Sequence, residues 1–73
     1  MATGTVMLDA RGMRCPWPAL RLARAMRSAA AAELLSDDPR AEGEVAALAA
    51  VHGWALTVTR DGPIWHIRAV RMA

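Results

Sequence analysis

The sequence predicts a single α+β domain in which strands and helices share one core. Apolar residues recur at helical spacing over 19–30, whereas they alternate with polar residues at the two-residue period of strands over 56–59 and 65–70. Seventy-three residues are enough for one modest core, because a chain of this length buries only about 60% of its unfolded surface. We expect residues 1–73 to form one domain, with 1–4 disordered.

A short strand and an amphipathic helix come first. Residues 5–9 form an apolar stretch that a turn-prone segment, 9–12, closes, and this pattern predicts a strand. From Pro18 onward, about 100° of rotation per residue places apolar and basic side chains on opposite faces of a helix. The apolar face carries Ala19, Leu22, Ala23, Met26 and Ala30, and the basic face carries Arg21, Arg24 and Arg27.

The middle of the chain holds an ambiguous segment and a second helix. The four alanines within 29–35 favour a continued helix, whereas residues 34–36 could end a strand, and local propensity alone selects helix. We expect the second helix over 39–52, with Asp38 as its N-cap, a proline at its first position and Gly53 ending it. Its inward positions are Ala41, Val45, Leu48 and Ala49.

The last third of the chain predicts a β-hairpin. The alternating segments 56–59 and 65–70 form two strands, which the turn residues Asp61-Gly62-Pro63 join. We expect Trp65 in the core, and we expect Trp54 to pack at the junction between the second helix and the hairpin.

Charge and cysteine content narrow the function class. The net charge is only +2, nine arginines supply all the basic side chains, and six of them fall between Arg11 and Arg40. This charge is too small to indicate nucleic-acid binding, so the arginines are either ordinary solubilising charge or a site for an acidic partner. A single cysteine excludes an internal disulfide and a Cys-x-x-Cys couple. With neither a signal peptide nor a membrane-length apolar run, we expect a cytoplasmic protein.

Cys15 is the candidate reactive residue. It precedes Pro16-Trp17-Pro18, where the loop turns into the first helix, and we expect Cys15 at the N-cap with Pro16 at the first helical position. Unpaired N–H groups and the helix dipole stabilise a thiolate there, so we expect a lowered pKa, moderated because the two prolines lack N–H groups. Arg11 and Arg14 would add electrostatic support. The residues alone leave open the alternative that Cys15 is a small buried hydrophobe.

Two neighbouring features each have two interpretations. Trp17 lies beside the basic helix face, where it is either a partner-docking anchor together with Arg21 and Arg24 or folded back onto the domain. Asp37 and Asp38 could be paired catalytic carboxylates, but helix capping explains them more simply.

The histidines do not indicate a metal site. Cys15, His52 and His66 lack the spacing of metal ligands. His52 falls in the last turn of the second helix, where a cation interacts favourably with the helix dipole. Its position on the inward face of this helix also allows it to be a packed histidine. We therefore assign neither a metal nor a cofactor.

Taken in order, the motifs resemble the TusA/SirA family of small sulfur-carrier proteins. Residues 8–18 read Leu-Asp-Ala-Arg-Gly-Met-Arg-Cys-Pro-Trp-Pro, and Asp37-Asp38-Pro39 and then Gly53 follow. The family has a leucine-aspartate, arginine-glycine and Cys-Pro-x-Pro signature near its start. Cys-Pro-x-Pro alone would be a weak match, but the landmarks in order, over nearly the whole chain from Leu8, make a strong one.

The resemblance implies a two-layer α/β sandwich. Its order is βαβαββ, with both helices on one face of a four-stranded mixed sheet. Residues 31–36 then form the second strand, against the propensity of alanine. Ala31-Ala32 stand where the family commonly has Gly-Glu, arginines replace lysines on the first helix, and Trp17 fills the variable position of the motif. These departures leave the fold intact and alter the partner surface.

The resemblance also implies sulfur-relay chemistry. Family members carry sulfane sulfur as a persulfide on the cysteine matching Cys15, taking it from a cysteine desulfurase or a rhodanese and passing it to an acceptor protein. Known destinations are transfer-RNA thiolation, molybdenum cofactor supply and sulfur oxidation. Without a second cysteine, the chain has no internal disulfide by which to release the sulfur, so it must wait for a partner. We expect a monomeric sulfur carrier rather than a stand-alone turnover enzyme.

A rival interpretation is a non-catalytic RNA-binding or regulatory module. The expected fold resembles the C-terminal domain of translation initiation factor three, and arginines on one helix could contact RNA. The small net charge and the lack of interleaved exposed aromatic residues argue against this interpretation. We expect no stable nucleic-acid binding and no membrane association.

Overall fold

A computed structural model describes residues 5–72 of the chain. The elements are strand β1 (Thr5–Asp9), helix α1 (Trp17–Ala25), strand β2 (Ala31–Ser36), helix α2 (Ala41–His52), and strands β3 (Trp54–Asp61) and β4 (Ile64–Arg71). The α+β class and the βαβαββ order are confirmed, and 31–36 is a strand despite its alanines. The expectation that 1–4 are disordered lies outside the described residues. Neither helix is long and apolar enough to cross a membrane, within the part of the chain described.

One four-stranded mixed sheet, in the order β1-β2-β4-β3, carries both helices on one face. Strands β1 and β2 are parallel, and the other neighbouring pairs are antiparallel. The register aligns Leu8 with Leu34, Leu34 with Ile67, and Ile67 with Val58. Because side chains alternate across a strand, these four form one row on the helix-facing side of the sheet.

Both helices bury most of the face that the sequence predicted. The prediction was wrong for Ala30, because α1 ends at Ala25 and the chain then turns, which leaves Ala30 exposed and buries Ala29 instead. Leu22 of α1 and Val45 of α2 are inaccessible to solvent, as are Leu34 and Ile67 of the sheet. Full burial of such a side chain contributes about 1.5–3 kcal/mol, so this contact holds the two layers together. The buried cluster consists of Ala10, Ala19, Leu22, Met26, Ala32, Leu34, Ala41, Val45, Ile67 and Ala69.

Each helix begins later than the sequence predicted. Pro16, and not Cys15, is the N-cap of α1, and the Cys15–Pro16 peptide bond is cis. Helix α2 has Arg40 rather than Asp38 as its N-cap. Asp38 still satisfies this helix start, because its Oδ1 accepts the Arg40 N–H at 3.0 Å. Gly53 ends α2 in the left-handed conformation, as expected.

The three tryptophans occupy different environments. Trp54 is half-buried at the junction of α2 and β3, as predicted, with its ring stacked on His52 at 5.0 Å between centroids. Trp65 is also half-buried and packs at the rim of the core, where the Arg60 guanidinium lies 4.6 Å from its ring centroid. Trp17 is 60% exposed, so it does not fold back onto the domain.

Candidate functional site

Cys15 lies half-buried on the loop between β1 and α1, against the start of α2. The Cys15 backbone N–H donates a hydrogen bond to Oδ2 of Asp38 at 2.6 Å. Oδ1 of the same carboxylate accepts the backbone N–H of Arg40. One carboxylate therefore joins the cysteine loop to the first turn of α2, and Cys15 lies between the starts of both helices.

A second carboxylate holds the same loop. Asp37 Oδ1 accepts the backbone N–H of Gly12 at 3.0 Å, and Gly12 has a φ of 84°, a left-handed conformation that favours glycine. The backbone of Asp38 is itself held in place, because its N–H donates to Oγ of the fully buried Ser36 at 3.1 Å. The acidic pair thus positions loop 12–15, a role that the sequence analysis missed when it assigned the pair to capping.

The Cys15 thiol is harder to ionise than the sequence predicted. Partial burial raises the pKa of Cys15, and the negative charge of the Glu44 carboxylate raises it further. Arg40 opposes this effect and lowers the pKa of Cys15. The expectation of a lowered pKa is wrong because desolvation and Glu44 prevail. In addition, the Trp17 N–H donates to the Arg14 carbonyl at 2.9 Å rather than facing the sulfur unpaired.

The two arginines that the sequence analysis assigned to electrostatic support are placed differently. Arg11 forms a two-point ion pair with Asp9, at 2.8 Å from Nε and 2.7 Å from Nη2, which lowers the pKa of Asp9 to about 2. Arg14 is exposed and lines an open cleft together with Arg40. Arg40 is the cation that acts most on the pKa of Cys15. Its only signal in the sequence was its place directly after the Asp-Asp-Pro motif.

The three residues predicted for partner docking line one groove on the outer side of α1. Trp17, Arg21 and Arg24 surround a groove of about 550 Å³. Arg21 is held in place because its Nη1 donates to the Asp9 carbonyl at 2.8 Å. Trp17 and Leu20 remain 60% and 48% exposed, so the groove combines apolar and basic surface. Its lining is completed by Leu8, Met13 and Ala25.

The two prolines of the Cys-Pro-x-Pro motif have different environments. Pro18 is fully buried in the interior, whereas Pro16 is exposed at the N-cap. The Pro16 carbonyl accepts the Leu20 N–H at 3.1 Å and so begins the hydrogen bonding of α1. Because proline restricts φ, the motif limits the directions in which the chain can enter the helix.

This arrangement suits the chemistry of a thiol. Cys15 is half-buried and directly follows Met13 and Arg14, which line an open cleft together with Arg40, and thiol exchange requires access to the sulfur and a fraction of thiolate. Over residues 5–72, no three His, Cys, Asp or Glu side chains are grouped closely enough to hold a metal ion.

Sequence and structure comparisons relate this chain to known proteins. Residues 6–70 match the family model described as Sulfurtransferase TusA. Among curated proteins, no significant sequence match is found. The crystal structure of a SirA-like protein from Desulfitobacterium hafniense is similar, with a TM-score of 0.81 and 21% sequence identity over 89% of this chain and 95% of that chain. At this identity, the structural similarity establishes a shared fold.

Proposed function

The chain belongs to the TusA sulfurtransferase family, and from this premise we propose that it holds sulfane sulfur as a persulfide on Cys15 and relays it between proteins. The observation that carries the proposal is the position of Cys15. It is half-buried on a loop at a helix start, and the Asp38 carboxylate holds its backbone against a second helix. A sulfur atom held in this way is reachable by a partner, while hydrogen bonds to Asp37 and Asp38 hold its loop.

Loading is a displacement at sulfur. The Cys15 thiolate attacks the outer sulfur of a donor persulfide, so that an S–S bond forms at Cys15 while the S–S bond of the donor breaks. The donor leaves as a thiolate and takes up the proton that Cys15 has lost. One sulfane sulfur moves and no external oxidant or reductant is consumed.

The loaded chain then depends on a second protein. Because Cys15 is the only cysteine, no thiol of this chain can release the sulfur as an internal disulfide. An acceptor thiolate has to attack the outer sulfur of the Cys15 persulfide. The donor would be a cysteine desulfurase or a rhodanese, and the delivered sulfur would serve transfer-RNA thiolation, molybdenum cofactor supply or sulfur oxidation. A cytoplasmic monomer suits a carrier that must visit two partners in turn.

The test is sulfur loading followed by intact-mass measurement. The reduced chain is incubated with a cysteine desulfurase, its pyridoxal cofactor and cysteine. We expect a species heavier by one sulfur atom, which a reductant removes and which Cys15→Ser does not form. Absence of this species with a desulfurase, a rhodanese and a polysulfide donor would contradict the proposal.

We assign docking to the groove on α1. Trp17 and Leu20 supply exposed apolar surface, while Arg21 and Arg24 supply positive charge, so the groove suits a partner surface that carries acidic residues around an apolar centre. Trp17→Ala should slow sulfur transfer from the donor protein severalfold without unfolding the chain.

Val51→Ala is the matched control for the groove. Val51 is 78% exposed on α2 and is not part of the groove lining, so its truncation should leave the transfer rate unchanged. Equal slowing by both variants, or an unfolded Trp17→Ala chain, would remove the docking assignment. Loading by a small polysulfide should be unaffected in either variant, because a small donor needs no docking surface.

A further inference from the structure

The C-terminal ends of the two helices lie together, away from Cys15. Helix α1 begins two residues after Cys15, and the Asp38 carboxylate joins the Cys15 backbone to the start of α2, so both helices start near the sulfur. Their 9 and 12 residues extend over about 13 Å and about 18 Å. Side chains grouped at the helix ends therefore belong to a different part of the surface from the sulfur site.

Two adjoining cavities lie at these helix ends. The first has a volume of about 400 Å³, and its lining includes Arg27, His52, Trp54 and Arg71. The second has a volume of about 470 Å³, shares Arg27 and His52 with the first, and adds Arg24. Within residues 5–72, no aspartate or glutamate lines either cavity. We call the two cavities together the distal recess.

The distal recess carries positive charge that the chain leaves unneutralised. Arg24, Arg27 and Arg71 form no ion pair with any side chain in the described part of the chain. The two helix ends that meet here contribute about half a negative charge each, against three guanidinium groups. The recess therefore has a surplus of about two positive charges even after the helix dipoles are taken into account.

Two contacts hold groups of the distal recess in place. Nη2 of Arg71 donates to the Met26 carbonyl at the end of α1, and the Arg71 backbone N–H donates to the Ala30 carbonyl at 2.8 Å. The Trp54 and His52 rings stack, with 5.0 Å between their centroids and 18° between their planes. Trp54 lines only the first cavity, whereas His52 also presents surface to the second. Guanidinium groups and a flat ring surface are thus combined in one recess.

We propose that the distal recess binds a phosphate ester that carries a flat ring, which is the chemistry of a nucleotide. The phosphate groups contact Arg27 and Arg71, because planar guanidinium groups match phosphate oxygens in two-point hydrogen bonds. The ring of the ligand packs against His52 and extends the stack of His52 on Trp54. The site goes beyond the proposed sulfur relay, since none of its groups belongs to the loop that holds Cys15.

The dimensions of the recess favour a small ligand over a macromolecule. Each cavity falls within the range of about 300–1,000 Å³ that is typical of small-molecule sites. Single-stranded RNA is bound by successive aromatic side chains along a basic track, whereas this recess has one stacked pair and the whole chain has a net charge of only +2. One ring pair beside three arginines suits one ring with its phosphates.

The test is NMR titration of the isotope-labelled, reduced chain with ATP, inorganic pyrophosphate and adenosine. We expect ATP to shift the amide signals of residues 23–27, 52–54 and 71. Pyrophosphate should shift the same signals but bind severalfold more weakly, because it has no ring, and adenosine should not shift them, because it has no charge. Added salt should weaken the binding of ATP and of pyrophosphate.

Variants assign the binding to named residues. Arg27→Gln should weaken ATP binding severalfold and, since Arg27 is exposed, should keep the fold. His52→Ala should weaken the binding of ATP but not that of pyrophosphate. Arg68→Gln is the matched control, because it removes the same charge from an exposed arginine on the opposite face of the sheet. Cys15→Ser should bind ATP as the parent chain does, so a failure of sulfur loading and a failure of this site are distinguishable.

Three outcomes would overturn the proposal. The first is that millimolar ATP shifts none of the amide signals of the distal recess. The second is equal weakening by Arg27→Gln and Arg68→Gln, which would show attraction by net charge alone. The third is that a hexaglutamate peptide or an oligouridylate binds these residues more tightly than ATP, which would assign the recess to an acidic protein or to RNA.

Discussion

The Asp38 carboxylate accepts the backbone N–H of Cys15 at 2.6 Å, across 23 positions of sequence. Asp38 is only 8% exposed, and its backbone N–H donates in turn to Ser36 within the sheet. Hydrogen bonds from the Arg40 and Cys15 N–H groups lower the pKa of Asp38, so it remains a charged acceptor. The only cysteine of the chain is therefore positioned by the loop that follows β2, and not by its own loop alone.

Asp38→Asn should loosen the cysteine loop. An asparagine side chain has one acceptor oxygen, so the N–H of Cys15 or that of Arg40 loses its partner. We expect faster hydrogen exchange at the Cys15 amide and severalfold slower sulfur loading, measured by NMR and by intact mass. Asp61→Asn, at the distant hairpin turn, is the control. Unchanged exchange at Cys15 in Asp38→Asn would contradict the positioning role.

Truncation of the core should cost far more stability than truncation of the groove. Ile67→Ala removes a fully buried side chain from the row that faces the helices, and we expect the free energy of unfolding to fall by about 2–5 kcal/mol. Leu20 is 48% exposed, so Leu20→Ala should change that free energy by no more than about 0.5 kcal/mol. Urea denaturation measures both values, and similar losses would show that the core is assigned wrongly.

The ion pair between Asp9 and Arg11 should make the stability of the fold depend partly on pH in the acid range. The pKa of Asp9 is lowered from 3.8 to about 2 in the folded chain. Because the folded value lies below the unfolded one, the pair stabilises the fold above about pH 4, and this contribution is lost as the pH falls toward about 2.

Asp9→Asn should therefore lose less stability than the parent chain over that range, as should Arg11→Gln. The urea midpoint, followed between about pH 5 and pH 2, measures the difference. The effect should be small and should shrink in salt, because the pair is exposed. If the urea midpoint falls equally with pH in both variants and in the parent chain, the ion pair does not contribute to the loss of stability in acid.

Gly43 lies within α2 and Gly53 ends it. Substitution by alanine should change the stability of the fold in opposite directions at these two positions. Gly53 has a φ of 76°, where a Cβ costs about 1–2 kcal/mol, so Gly53→Ala should destabilise the fold. Gly43 lies within the helix, and no atom lies within 4 Å of a Cβ added there. Gly43→Ala should therefore stabilise the fold by about 0.5–1 kcal/mol. Thermal denaturation measures both, and shifts of the same sign would refute the assigned helix end.

Short-range patterns were enough for most of the secondary structure. The alternation before and after the Asp61-Gly62 turn predicted the hairpin, and Gly53 marked the end of α2. Helical spacing identified Leu22 and Val45 as buried. These features depend on neighbouring residues only, because periodicity and turn chemistry are local properties of the backbone.

The alanine-rich strand shows where local patterns were insufficient. Residues 31–36 favour helix by propensity, and only the family resemblance predicted a strand. In the fold, Ala32 is fully buried and is aligned with Val6 on one side and Ala69 on the other. Pairing with two neighbouring strands outweighs an intrinsic preference of less than about 1 kcal/mol per residue.

The sequence by itself determined that one cysteine stands at a helix start, beside a tryptophan and a basic helix face. Only the tertiary structure decided that Asp38 holds Cys15 and that the pKa of Cys15 is raised. Desolvation and Coulomb interactions depend on distance in space. The residues responsible lie more than twenty positions away along the chain, so no local pattern around the cysteine contained them.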